Sequence, residues 1–207
     1  MTGTDASLPA EVHWNSVLSN TPLPKALQDL LHPVKFLPRK VADLIPFSSE
    51  KLAEIFTRFS VKADSVEAKT MKETIDECEA TKIPGEDKYC ATSLESLVDF
   101  SVAKLGKNVS VFTNEVEEES KEQEFTILCH KERYVYAVFY CHKINATKVY
   151  MVPLIGTDGS KAKALVICHM NTSAWSPQHP AFQLLKVKPG SPVCHFLNDD
   201  ALVWVST

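Results

Sequence analysis

The chain has 207 residues and a formal net charge of -4, from 22 Lys and Arg against 26 Asp and Glu. That length suits one domain or one domain with an appended segment, and 44 % hydrophobic with 23 % charged residues is enough for a buried core. Disordered, collagenous and coiled-coil classes are excluded, the outnumbered and scattered cations speak against nucleic-acid binding, and no apolar run reaches the roughly 18 residues of a membrane span.

Six of the twelve prolines fall in the first 46 residues, so the chain opens on a largely irregular segment with one short helix from about Lys25 to Leu31. Three better helices follow. Ser48 or Ser49 caps one that runs through Leu52, Ile55 and Phe56. Asp64 with Glu67 starts the next, whose apolar side is Ala68, Met71, Ile75 and Cys78. Thr92 and Glu95 form a capping box for the third; Leu94, Leu97, Val98, Ser101, Val102 and Leu105 mark its face, and Gly106 suits a left-handed C-terminal residue. The acidic stretch Glu115 to Glu124 reads as a solvated loop.

Beyond Gly106 the period shortens. Val109 to Phe112, Tyr134 to Tyr140, Lys148 to Val152 and Ala164 to Ile167 are rich in β-branched and aromatic residues, with turn residues at Gly156 to Gly159, Lys188 to Gly190 and Asn198 to Asp200. The expected class is α+β: N-terminal helices, then six or more largely antiparallel strands stapled by disulfides.

Six cysteines stand at positions 78, 90, 129, 141, 168 and 194. Glycosylation acceptors occur at Asn108, Asn145 and Asn171, three of seven asparagines, where chance gives about one. Together these favour an oxidising, secretory compartment. Met1 to Asp5 has neither the basic start nor the apolar stretch of a signal peptide, so a mature or trimmed chain is expected.

One dipeptide recurs four times: Cys129-His130, Cys141-His142, Cys168-His169 and Cys194-His195, at intervals of ten, twenty-five and twenty-four residues. Successive strand residues point to opposite faces, so adjacent strands carrying such pairs join cysteines on one side and group imidazoles on the other. Clustered neutral imidazoles suit copper. A zinc site using both members of a pair is disfavoured, because neighbours on a regular strand rarely face one ion and the usual Cys-X2-4-Cys spacing is absent. A disulfide scaffold alone leaves the histidines unexplained.

The repeated Cys-His spacing closely resembles the signature of the plant BURP-domain family. Phe36-Leu37-Pro38-Arg39-Lys40-Val41-Ala42, Ile45-Pro46-Phe47-Ser48-Ser49, Lys88-Tyr89-Cys90-Ala91-Thr92-Ser93 and Pro192-Val193-Cys194-His195-Phe196 are similar to it as well. The resemblance implies a proline-rich segment over 1–35 and a BURP-like domain over 36–207. Some members are copper- and dioxygen-dependent peptide cyclases that join a Tyr or Trp side chain to another residue of a core peptide. Carried onto this chain, that implies two copper centres, with His130, His142, His169 and His195 as catalytic ligands and His179 as a fifth ligand. It also implies a separate Cys78–Cys90 staple, with Cys129, Cys141, Cys168 and Cys194 pairing in any of three ways. Tyr134, Tyr136, Tyr140 and Trp175 lie near the pairs and could line a peptide groove. No core peptide of the family's type is seen in the chain, so the expectation is either a peptide on a separate precursor, the reading preferred, or the removal of a segment between Val34 and Phe36. The expected location is the secretory pathway, ending in the apoplast or vacuole. The other function the resemblance supplies is a non-catalytic protein of the cell wall or of stress response.

Overall fold

Helices lead and strands follow in the computed structural model, which describes residues 35–113, 126–197 and 200–206. The expected helix at Lys25 to Leu31 and the acidic stretch Glu115 to Glu124 lie outside those residues. Among the described residues no helix is long and apolar enough to cross a membrane. The class is α+β, with two sheets: a five-stranded one ordered β1-β4-β3-β8-β2 and a three-stranded one ordered β5-β6-β7. The strands are β1 (Glu86–Ala91), β2 (Val109–Phe112), β3 (Thr126–Lys131), β4 (Phe139–Ile144), β5 (Thr147–Ile155), β6 (Lys161–His169), β7 (Val193–Phe196) and β8 (Ala201–Ser206). β2 pairs antiparallel with β8, β5 with β6, and β6 with β7.

The described chain divides into two compact units. The first comprises residues 35–81, 89–104 and 130–141. It holds α1 (Arg39–Ala42), α2 (Leu52–Phe59), α3 (Val66–Glu79) and most of α4 (Leu94–Leu105). Ile55 of α2 and Met71 and Ile75, one turn apart on α3, are fully buried among Phe47, Leu52, Phe56 and Phe59. The Cys78–Cys90 bridge ties the end of α3 to β1.

Three expectations shift in this unit. α3 starts one residue later than expected: Ser65, not Asp64, is the cap, its Oγ accepting the Ala68 N–H at 3.1 Å. The box on α4 is likewise one residue on. Ser93 and Ser96 cap each other's backbone at 3.1 Å, while Glu95 accepts the Arg39 N–H at 3.3 Å. Tyr134 to Tyr140 is not a strand. The Glu132 N–H bonds back to the Val138 carbonyl at 2.9 Å, and the consecutive residues Tyr134, Val135 and Tyr136 all pack into one cluster with Ile45 and Phe59 instead of alternating between faces; β4 begins only at Phe139. Gly106, by contrast, has the expected left-handed φ of 90°.

The second unit comprises residues 82–88, 105–113, 126–129, 142–197 and 200–206. Its core sets Val149, Leu165 and Ile167 of β5 and β6 against Leu128 of β3 and Val203 and Val205 of β8. β8 is interior to its sheet and buried from Ala201 to Val205, which explains a continuous apolar run where a half-exposed strand would alternate. Gly159 (φ 83°) and Gly190 (φ 93°) occupy two of the expected turns. Asn108, Asn145 and Asn171 are all exposed.

Candidate metal centre

Register converts the Cys-His alternation into geometry. On the three-stranded sheet Cys168 lies opposite Cys194, and Ile167 lies opposite His195. Neighbouring residues face opposite ways, so the Cys168–Cys194 disulfide sits on one side of the sheet while His169 and His195 share the other, on a diagonal. Their ring centres are 5.7 Å apart. His142 of β4 brings a third ring, 6.5 Å from that of His169.

In each of these imidazoles Nδ1 has a partner. Thr147 stands directly opposite His169 on β5, and its Oγ1 is 3.1 Å from the buried His169 Nδ1. His195 Nδ1 is 3.0 Å from the Phe196 carbonyl, which can only accept, so the proton is on Nδ1 and the lone pair on Nε2. His142 Nδ1 is 3.2 Å from Glu86 Oε1, and both side chains are almost wholly buried, at 13 % and 7 % exposure. Carboxylate and carbonyl partners of this kind fix the tautomer and orientation of metal-binding histidines, and the Thr147 hydroxyl, which can donate or accept, holds the orientation of the His169 ring.

Trp175 packs edge-on against His169 at 5.1 Å and lies 4.5 Å from His179. His179 is engaged differently. It precedes the helix α5 (Pro180–Leu185), and its Nδ1 accepts the Ala181 N–H at 3.2 Å. A neutral ring whose Nδ1 accepts carries its proton on Nε2, which therefore has no lone pair to offer a metal. His130 belongs to the first unit, half-buried on β3 next to Cys129. Tyr134 and Tyr136 are also in that unit, and neither hydroxyl has a hydrogen-bond partner among the described residues. Burial pushes the Tyr134 phenol up to about 12 and raises Tyr136 as well, with Tyr134 adding to the latter. Cys129 and Cys141 are oxidised too, and no free cysteine remains among the described residues.

With metal–nitrogen bonds of about 2.0 Å and ring centres about 1.1 Å further on, two imidazoles on one ion stand roughly 4.5 to 6 Å apart. The His169–His195 pair lies inside that range, and His142 lies just beyond it. No three His, Cys, Asp or Glu side chains among the described residues converge as a finished cradle. The donors nevertheless fit copper, as neutral imidazoles with oriented Nδ1 atoms.

A model of the BURP domain matches residues 20–206. The chain belongs to the BURP-domain family. It is 53 % identical over 188 residues to BURP domain protein RD22 of Arabidopsis thaliana, an alignment covering 83 % of this chain and 48 % of that protein. It is 50 % identical over 189 residues to BURP domain-containing protein 3 of Oryza sativa subsp. japonica, covering 82 % and 44 %, and 46 % identical over 188 residues to BURP domain-containing protein 5, covering 82 % and 58 %. The chain thus spans about half the length of the curated relatives it matches. Within this BURP domain, Glu86 and Thr147 are site residues that sequence reasoning missed. Glu86 lies 56 positions from His142 with no spacing to link them; Thr147 becomes visible only once β5 is in register with His169.

Proposed function

We propose that this BURP-domain protein is a copper-dependent oxidative peptide cyclase. It joins a Tyr or Trp side chain of a core peptide, carried on a separate precursor, to another residue of that peptide, in the secretory pathway and with dioxygen as co-substrate. The observation that supports this reading is the grouping of the His142, His169 and His195 rings beside Trp175. Those three histidines would hold the metal, and His130 would contribute to a second centre. Copper supplies the one-electron redox chemistry that side chains lack. The chain's own groups do the rest. Glu86, Thr147 and the Phe196 carbonyl orient the rings through Nδ1, and the half-buried indole of Trp175 offers a flat apolar wall for an aromatic side chain of the peptide. The three oxidised cysteine pairs are compatible with an oxidising compartment.

The test is incubation of the copper-loaded protein with Tyr- and Trp-containing peptides in air. A product two hydrogens lighter, formed only when copper and dioxygen are both present, supports the cyclase; those hydrogens and their electrons pass to dioxygen. No such product across a broad peptide panel refutes it and leaves a metal-binding, non-catalytic extracellular protein.

A further inference from the structure

We infer that Glu86 is the positioning residue of His142, holding the ring with its proton on Nδ1 and its lone pair on Nε2. The carboxylate is itself anchored. Its Oε2 accepts the Ile83 N–H at 3.0 Å while the Glu86 N–H donates to the Ile83 carbonyl at 3.1 Å, so the side chain closes a turn reciprocally. Gly85 enters that turn with φ 81°, and its carbonyl accepts the Asn145 N–H at 3.1 Å, which pins the turn to the connection between β4 and β5. Oε1 is left facing His142 Nδ1 at 3.2 Å. An exposed pair in this geometry would be worth little, but this one is nearly dry, where a carboxylate imposes its acceptor preference on the facing nitrogen. One oxygen thus fixes the carboxylate and the other fixes the imidazole.

The consequence for metal binding rests on the copper reading above; the tautomer does not. In the metal-free protein, nitrogen NMR of the imidazoles should show His142 as the Nδ1–H form, shifting toward Nε2–H in Glu86→Ala. In copper titrations Glu86→Ala should weaken binding by about 10- to 100-fold. Glu86→Gln has one oxygen where the carboxylate has two: with it on the Ile83 N–H the turn is kept, which guards against misfolding, while the NH2 faces His142 Nδ1. The tautomer should then move toward Nε2–H and copper affinity should fall as in Glu86→Ala. In a His142→Ala background Glu86→Ala should change nothing further. The inference is overturned by an Nε2–H form in the wild type, by unchanged copper affinity in Glu86→Ala, or by a loss that persists without His142. A wild type that binds no copper while its tautomer still follows Glu86 sinks the metal reading and supports the positioning.

Discussion

Two disulfides in this chain offer a controlled comparison, because only one lies behind the imidazoles. Cys168–Cys194 closes a separation of 26 residues and Cys78–Cys90 one of 12. In the chain-entropy account, removing them costs about 3.5 and about 2.8 kcal/mol respectively, a difference of under 1 kcal/mol. Their effects on the metal should diverge. β7 has only four residues and meets β6 through four register pairs, one of which is the bridged Cys168–Cys194 pair, immediately beside His169 and His195. Without the bridge that short strand can fray, and the two rings lose their 5.7 Å spacing. The double variant Cys168→Ala/Cys194→Ala should therefore lose copper affinity by at least about tenfold, whereas Cys78→Ala/Cys90→Ala should keep it. Urea melts followed by circular dichroism give the stability, and chelator competition at a temperature where both variants are folded gives the affinity. Equal affinity losses in the two variants, or none in the first despite the expected destabilisation, would refute the idea that the bridge sets the site.

Alkaline pH should uncover the buried phenols: unfolded tyrosines ionise above about pH 10, while the folded protein keeps Tyr134 protonated to about 12. Their contribution to stability is thus intact below pH 10 and lost as pH rises through 12, and Tyr134→Phe/Tyr136→Phe should flatten that decline in melts at pH 8 and 11. A wild-type protein equally stable at both values would contradict this. His179→Ala should cost about 1 kcal/mol by uncapping α5 while leaving the copper content unchanged, and His169→Ala should lower it; matching losses of copper would make His179 a ligand after all. Gly85→Ala should destabilise by about 1–2 kcal/mol, since φ is 81° and the new Cβ would stand 3.2 Å from the Asn145 Nδ2; Gly106→Ala, where nothing lies within 4 Å, should cost less in the same melts.

Much of this architecture was legible where period and chemistry agreed. The Cys-His dipeptide forces its two members onto opposite faces of a strand, and the β6–β7 register places Cys168–Cys194 and the His169–His195 pair accordingly. The helical faces were legible for the same reason, because Leu52 with Ile55, and Met71 with Ile75, recur at helical spacing. Local rivals were harder to separate. Ser65 stands beside Asp64, and Ser93 beside Thr92, and one shift along the chain exchanges one good cap for another. The aromatic run at Tyr134 to Tyr140 has strand composition, yet the neighbours Tyr134, Val135 and Tyr136 pack into one cluster, which a regular strand would split between its two faces. Glu86 was invisible because it opens β1 and comes to face His142 only once β1 lies beside β4.

Pro153 sits on β5, at the border of the three-stranded sheet, across from Lys163. It is followed by Leu154 and Ile155, at 38 % and 76 % exposure, a greasy rim of the sort that recruits a neighbouring chain. A proline carries no amide hydrogen, so an incoming strand aligned there would find a carbonyl with nothing to receive. One imino acid thereby discourages end-on stacking of copies without any charge being spent at the margin.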